Sequence, residues 1–203
     1  MTDLSIDYSF ARPSPEAIRD AGYIGVWRYL GGTADKDLSR AEAEALHAAG
    51  LGIGCVFEGL ADRPLSGAAA GTEDGKAAAA QARDIGLPKG APLLVAVGDF
   101  QAIGDQIATV HDYYYAFRQE TEDTWQTGGY ATSYMISALV AAGAEGLWWQ
   151  NAMTDEGVSG DIVNPHASVY QRVTPTRQIK DAEGDYDEDV SGFGPAAVNW
   201  WRP

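Results

Sequence analysis

The chain has 203 residues, 45% of them hydrophobic, which is enough for one full core and short for two, so residues 1–203 are expected to form a single domain. Its formal net charge of −15 argues against nucleic-acid binding, which needs clustered Lys and Arg, and against anionic membrane surfaces. No apolar run approaches the ~20 residues of a membrane span, so no membrane insertion is expected.

The first strand signal is Ile6-Asp7-Tyr8, followed by Ser14, which suits a helix cap, and Pro15, which suits a first turn. That helix ends at Gly22, and Tyr23 to Leu30 reads as a strand rich in aromatic and β-branched residues. Ser39-Arg40-Ala41-Glu42 has capping-box spacing and opens a helix that stops at Gly50. Leu51 to Glu58 is the third strand, and the Ala-rich stretch from Glu73 to Ile85 the third helix. Cys55, the one cysteine, lies in this apolar strand and reads as a small buried hydrophobe.

Leu93 to Asp99 forms a nearly continuous apolar run, as in sheets buried on both faces. A helix from Ile103 to about Glu120 follows, with Ile107, Val110, Tyr114 and Phe117 on one face. Next come a strand over Thr127 to Ala131 and a helix over Thr132 to Ala142. Leu147 to Gln150, Ala167 to Arg172 and Asp185 to Val190 supply three short strands without clear helices between them. Gly192 to Pro203, with Trp200 and Trp201, is expected to fold back on the rest. Strands alternating with helices in this way predict an α/β fold: a TIM-like (β/α)8 barrel, irregular in its C-terminal half, with an open doubly wound sheet as the alternative.

In a closed parallel barrel all strand ends share one face. Four of these strands carry acids at or near their ends: Asp7, Glu58, Asp99 and Asp187. Tyr29, Gln101, Tyr130, Trp149, Gln171 and Asp189 stand at the same positions. Aromatic rings stack on sugar faces, while carboxylates bind hydroxyls and move protons, so the set reads as a glycosidase-like pocket. Glu58, in apolar surroundings, is the expected proton donor. Asp99 or Asp187 would stay ionised to activate water or support the positive transition state, and Asp7 would orient a hydroxyl or water. The other six would shape the sugar pocket.

His47, His111 and His166 lack metal-ligand spacing, with His47 and His111 read as surface helix residues, and Asp185-x-Asp187-x-Asp189 lacks the turn Gly and distal Glu of a calcium loop. No metal and no cofactor are therefore expected. Tyr113-Tyr114-Tyr115 reads as helix packing.

The residues also carry a resemblance. Asp7-Tyr8-Ser9, Val97-Gly98-Asp99-Phe100-Gln101, Gly128-Gly129-Tyr130, Tyr170-Gln171 and Gly184 to Val190 together resemble the family 25 glycoside hydrolases, which are lysozyme-type muramidases. Arg12-Pro13-Ser14 and Ala21-Gly22-Tyr23-Ile24-Gly25-Val26-Trp27-Arg28-Tyr29-Leu30 are more similar to a related glycoside-hydrolase-like domain of unknown function, found in actinobacterial secreted proteins and phage lysins. The resemblance implies action on bacterial cell-wall glycan, as a peptidoglycan hydrolase or phage lysin. Gln101 stands where the muramidases have their catalytic Glu, and an amide cannot donate the proton that a leaving oxygen requires. Asp189 stands where they usually have Asn. Two readings are therefore open: a muramidase-like glycosidase whose acid role has moved, or an inactive glycan-binding or structural barrel with phage structural partners. Met1-Thr2-Asp3 lacks the basic and apolar regions of a signal peptide, which places the chain in the cytoplasm until release, or in a virion.

Overall fold

The structure, a computed structural model, describes residues 3–98, 102–153, 163–172, 175–180, 184–192 and 194–202. Eight strands close into one barrel in chain order: β1 (Asp3–Asp7), β2 (Gly25–Leu30), β3 (Gly52–Phe57), β4 (Pro92–Gly98), β5 (Gln126–Ala131), β6 (Leu147–Gln150), β7 (Val169–Arg172) and β8 (Asp187–Ser191). Helices α1 (Pro15–Asp20), α2 (Arg40–Ala48), α3 (Gly67–Ile85), α4 (Gln106–Thr121) and α5 (Ser133–Ala141) cover the outside of the first five crossovers. The caps follow the sequence signals. Ser14, Ser39 and Thr132 accept from the backbone N–H groups of Ala17, Glu42 and Met135 at 3.3, 3.1 and 3.2 Å.

Two expectations are corrected. The barrel is not all parallel: β8 runs antiparallel to both β1 and β7. Parallel neighbours need a crossover, usually a helix, and the described residues between β7 and β8 form none. Asp187 therefore opens its strand instead of ending it, and it still reaches the mouth because β8 enters there.

The second correction concerns α3, which starts at Gly67 instead of Glu73, after a 3-10 turn over Arg63–Ser66. Its glycines lower helix propensity but let α4 approach closely. A Cβ on Gly71 would lie 2.1 Å from the Tyr113 carbonyl oxygen, and one on Gly75 would lie 2.9 Å from that of Phe117.

Strand alternation splits the apolar residues into two layers. Outward residues such as Ile6, Val26, Ile53, Cys55, Leu93 and Val95 pack against the helices. Inward residues fill the barrel: Trp27 stacks on Trp149 at 4.9 Å, and Tyr130 lies 4.4 Å from Trp149. Val56, Leu94, Leu147 and Val169 complete this plug, each contributing about 1.5–3 kcal/mol by burial. The end of the chain seals the lower face. Trp201 pairs with Ile53 through two backbone bonds, and Trp200 sits under Trp27 at 5.1 Å, where Gly52 leaves room for it.

Candidate functional site

The ends of β1 to β7 and the start of β8 surround a cleft of about 410 Å³ at the upper mouth. Tyr29, Lys36, Glu58, Tyr130, Gln171 and Asp187 line it, joined by Ser9, Ala152 and Met153. Residues from opposite termini meet here because β1 and β8 are neighbours, with Asp7 and Asp187 as register partners.

Of the acids at this cleft, Asp7 is held by the most side-chain donors. Only 3% exposed, it accepts from the Tyr29 hydroxyl at Oδ1 and from the Gln171 amide at Oδ2, both at 2.8 Å. The Gln171 amide cannot turn, because its oxygen accepts from the Tyr130 hydroxyl and the Ala152 N–H, each at 3.0 Å. Asp7 is thus presented as an acceptor at both oxygens. Burial raises its pKa, opposed by these hydrogen bonds and reinforced by the charges of Asp187 and Glu58. The Tyr29 hydroxyl is pushed well above its ordinary range, by burial first and then by Asp7.

Trp149 and Asp189 lie deeper. Both are fully buried, and the Trp149 indole N–H donates to Asp189 Oδ1 at 2.9 Å. Neither lines the cleft. Glu58 stands at the rim, where Lys36 Nζ approaches it to 2.6 Å and lies 4.4 Å from the Tyr29 ring centroid. Its surroundings are thus an ion pair, not the apolar pocket expected from sequence. Asp187 is half-buried at the mouth, and its pKa is raised by burial and by the charge of Asp185.

The structure therefore brings Glu58, Asp187, Tyr29, Tyr130 and Gln171 to one mouth, with Asp7 held beneath it by Tyr29 and Gln171 and with Trp149 and Asp189 buried in the barrel. Asp99 and Gln101 lie outside the described residues. Sequence reasoning missed Lys36, and the signal available was its place in the loop that follows β2, since such loops build the upper face of a barrel. Arg28, also at a strand end, points outward. It binds Glu42 at 2.7 Å, the Tyr8 carbonyl and the Lys36 carbonyl, and it clamps α2 to the barrel. His47 is not a free surface residue; it sits edge-on to Trp201 at 4.4 Å. Among the described residues no group of three or more His, Cys, Asp or Glu side chains is arranged to hold a metal. No described helix is long and apolar enough to cross a membrane.

Solved structures share this barrel. The Tat-secreted protein Rv2525c of Mycobacterium tuberculosis, crystallised with L-tartrate, superposes with a TM-score of 0.82 at 21% identity, over 98% of each chain. The bacterial lysozyme of Streptomyces coelicolor gives 0.64 at 16% identity, over 97% of this chain and 94% of that one. The modular autolysin LytC of Streptococcus pneumoniae, in complex with a synthetic peptidoglycan ligand, gives 0.62 at 15% identity, over 93% of this chain and 46% of that one. These likenesses establish a glycoside-hydrolase-like fold related to lysozymes. No curated protein matches in sequence.

The Rv2525c likeness corrects the expectation of a cytoplasmic chain. That protein is Tat-secreted, so this fold reaches the outside of a cell, and the residues Met1 to Asp3 do not fix the compartment. Over residues 16–191 the sequence matches one family, and the chain belongs to it: the Rv2525c-like, glycoside hydrolase-like domain family.

Proposed function

We propose that the chain, acting as one domain over residues 1–203, binds bacterial cell-wall glycan in the upper cleft and hydrolyses its glycosidic bonds. One observation carries this reading: Asp7, fixed by Tyr29 and Gln171, lies beneath a cleft edged by two aromatic rings and by the carboxyls of Glu58 and Asp187. With its pKa raised to about 7, Asp7 is ionised in part at neutrality, and that carboxylate under the sugar ring would stabilise the positive charge that develops at the anomeric carbon. A second carboxyl, protonated when the substrate binds, would give its proton to the leaving oxygen. Asp187 suits that second role better than Glu58. Its pKa is raised, whereas Glu58 is already engaged by the Lys36 ammonium. Tyr29 and Tyr130 would stack on the sugar. The peptidoglycan ligand of LytC and the secretion of Rv2525c support a cell-wall substrate met outside the cytoplasm.

The test is release of reducing ends from purified actinobacterial peptidoglycan. Wild-type protein should release them, and Asp187→Asn and Asp7→Asn should each lower turnover by at least about 100-fold, the scale of a lost acid or a lost electrostatic contact. A second reading has its own observation, Gln101 where muramidases have Glu. On that reading the barrel sediments with peptidoglycan but releases no reducing ends, and Asp7→Asn weakens the co-sedimentation.

A further inference from the structure

Below the cleft, two polar atoms are buried without any hydrogen-bond partner among the described residues: Asp189 Oδ2 and Trp27 Nε1. Both residues are fully buried inside the barrel. Asp7 and Asp189 face that interior from neighbouring strands, two register positions apart along the β1–β8 seam. Their surroundings differ. Asp7 has a donor on each oxygen, whereas Asp189 has one donor in all, the Trp149 indole. A fully buried carboxylate with one donor, one bare oxygen and a second carboxylate beside it is costly, because desolvation and like charge both disfavour ionisation.

Among the described residues no cation offsets that cost. Asp189 faces Ser5 of β1 and Gln171 of β7, and the charges that act on it most strongly are acidic: Asp7 first, then Asp187 and Glu188. Glu188 points outward, where Arg172 approaches it at 3.1 Å. Arg28, the buried cation among the described residues, is bound to Glu42 outside the barrel, and Lys36 is bound to Glu58 at the rim.

We propose that Asp189 is a positioning residue that carries a proton in the resting barrel, so that the charge of the buried pair resides on Asp7. Protonated, Asp189 buries no charge and has nearly the shape of asparagine. Above its titration midpoint a second charge appears beside Asp7, in a cavity built to hold one. The barrel is then most stable in acid, below the unfolded aspartate midpoint of about 3.9, and loses that contribution steadily as pH rises to the folded midpoint of Asp189, by a device independent of whichever ligand fills the cleft. Burial, followed by the charge of Asp7, raises the Asp189 pKa well above the ordinary carboxylate range, in keeping with this assignment.

The test needs no ligand. The aspartate carboxyl carbons of the whole chain are followed by NMR against pH in wild type, Asp189→Asn and Asp7→Asn. The signal lost in Asp189→Asn should titrate well above the ordinary aspartate midpoint of about 3.9. It should move to lower pH in Asp7→Asn, and the Asp7 signal should move the same way in Asp189→Asn, because paired acids titrate together. Melting of Asp189→Asn should equal or exceed that of wild type at neutral pH, with the gap widening as pH rises. If Asp189→Asn does not fold, the Asp189 carboxyl-carbon signal assigned in wild type through its own backbone resonances decides the matter: a midpoint well above about 3.9 supports the proposal and one at or below it overturns it. A signal that titrates at or below the ordinary midpoint, or an Asp189→Asn variant that loses stability equally at every pH, would also overturn it. Loss of peptidoglycan turnover alone bears only on the glycan reading.

Discussion

Gln171 Nε2 donates to Asp7 Oδ2 at 2.8 Å, joining β7 to β1 past the one reversed strand of the barrel. Because the Gln171 oxygen is already taken by Tyr130 and Ala152, the amide has one allowed orientation and Asp7 is always offered a donor. Gln171→Leu keeps the bulk but leaves an Asp7 oxygen bare, at a cost of about 1–3 kcal/mol in urea denaturation. Gln171→Glu should be worse at pH 7, since it sets a second acid against Asp7. The gap between the two variants should close as pH falls and the new acid takes up a proton.

The α3–α4 contact predicts a sharp difference between glycines. A methyl on Gly71 would meet the Tyr113 backbone oxygen at 2.1 Å, and backbone cannot rotate away, so the helices must separate. Gly71→Ala should lower stability by about 1–3 kcal/mol, the usual range for overpacking. Gly59 has open space around its Cβ direction, and Gly59→Ala should change stability by less than about 0.5 kcal/mol. Equal effects of the two substitutions in denaturant titrations would contradict the close approach.

Much of this was legible in the sequence, for identifiable reasons. Ser14, Ser39 and Thr132 announce helix starts because their hydroxyls satisfy orphan N–H groups, and they are found doing so. The apolar runs of β2 to β4 are legible because those strands are buried on both faces. The direction of β8 was not, since local propensity carries no strand polarity; connection length and tertiary pairing decide it. Gly67 and Gly71 hid the first turns of α3 because a glycine's poor propensity is visible in sequence, whereas the neighbour that Gly71 makes room for is not. In the site, strand alternation turns Tyr29, Trp149, Gln171 and Asp189 inward, which a place at a strand end does not state. How deep each sits depends on the stagger of closed strands, so Trp149 and Asp189 fall below the cleft while Gln171 reaches it. Lys36 comes from a loop, where no periodicity marks it.

Glu188 provides a test of the outer wall. It is fully buried, and it accepts from the Tyr23 hydroxyl at 3.1 Å, from Arg172 at 3.1 Å, and from the Thr176 hydroxyl at 2.8 and 2.9 Å. Glu188→Ala strands these donors and should cost about 3 kcal/mol. Arg172→Ala should cost far less, because Arg172 is 40% exposed and its charge is screened by water. Comparable losses in the two variants would show that the ion pair, and not the hydrogen-bonded acid, holds β8 in place.

The last prediction concerns pH. Asp187 has its pKa raised by burial and by the neighbouring charge of Asp185. For an acid raised on folding, the native state holds the proton more tightly than the unfolded chain. Its contribution to stability is complete below the unfolded value of about 3.9 and is lost as pH rises through the folded value. Asp185→Asn removes a negative neighbour, lowers the Asp187 midpoint and should reduce that loss. If Asp187 donates the proton in glycan cleavage, the same substitution must also shift the alkaline limb of the rate profile to lower pH, because the acid is surrendered earlier. Stability and rate therefore move in opposite senses at neutral pH: Asp185→Asn is slightly more stable and less active than wild type. A variant whose rate profile stays in place while its Asp187 midpoint falls by NMR would remove Asp187 from the acid role and leave it as a binding residue.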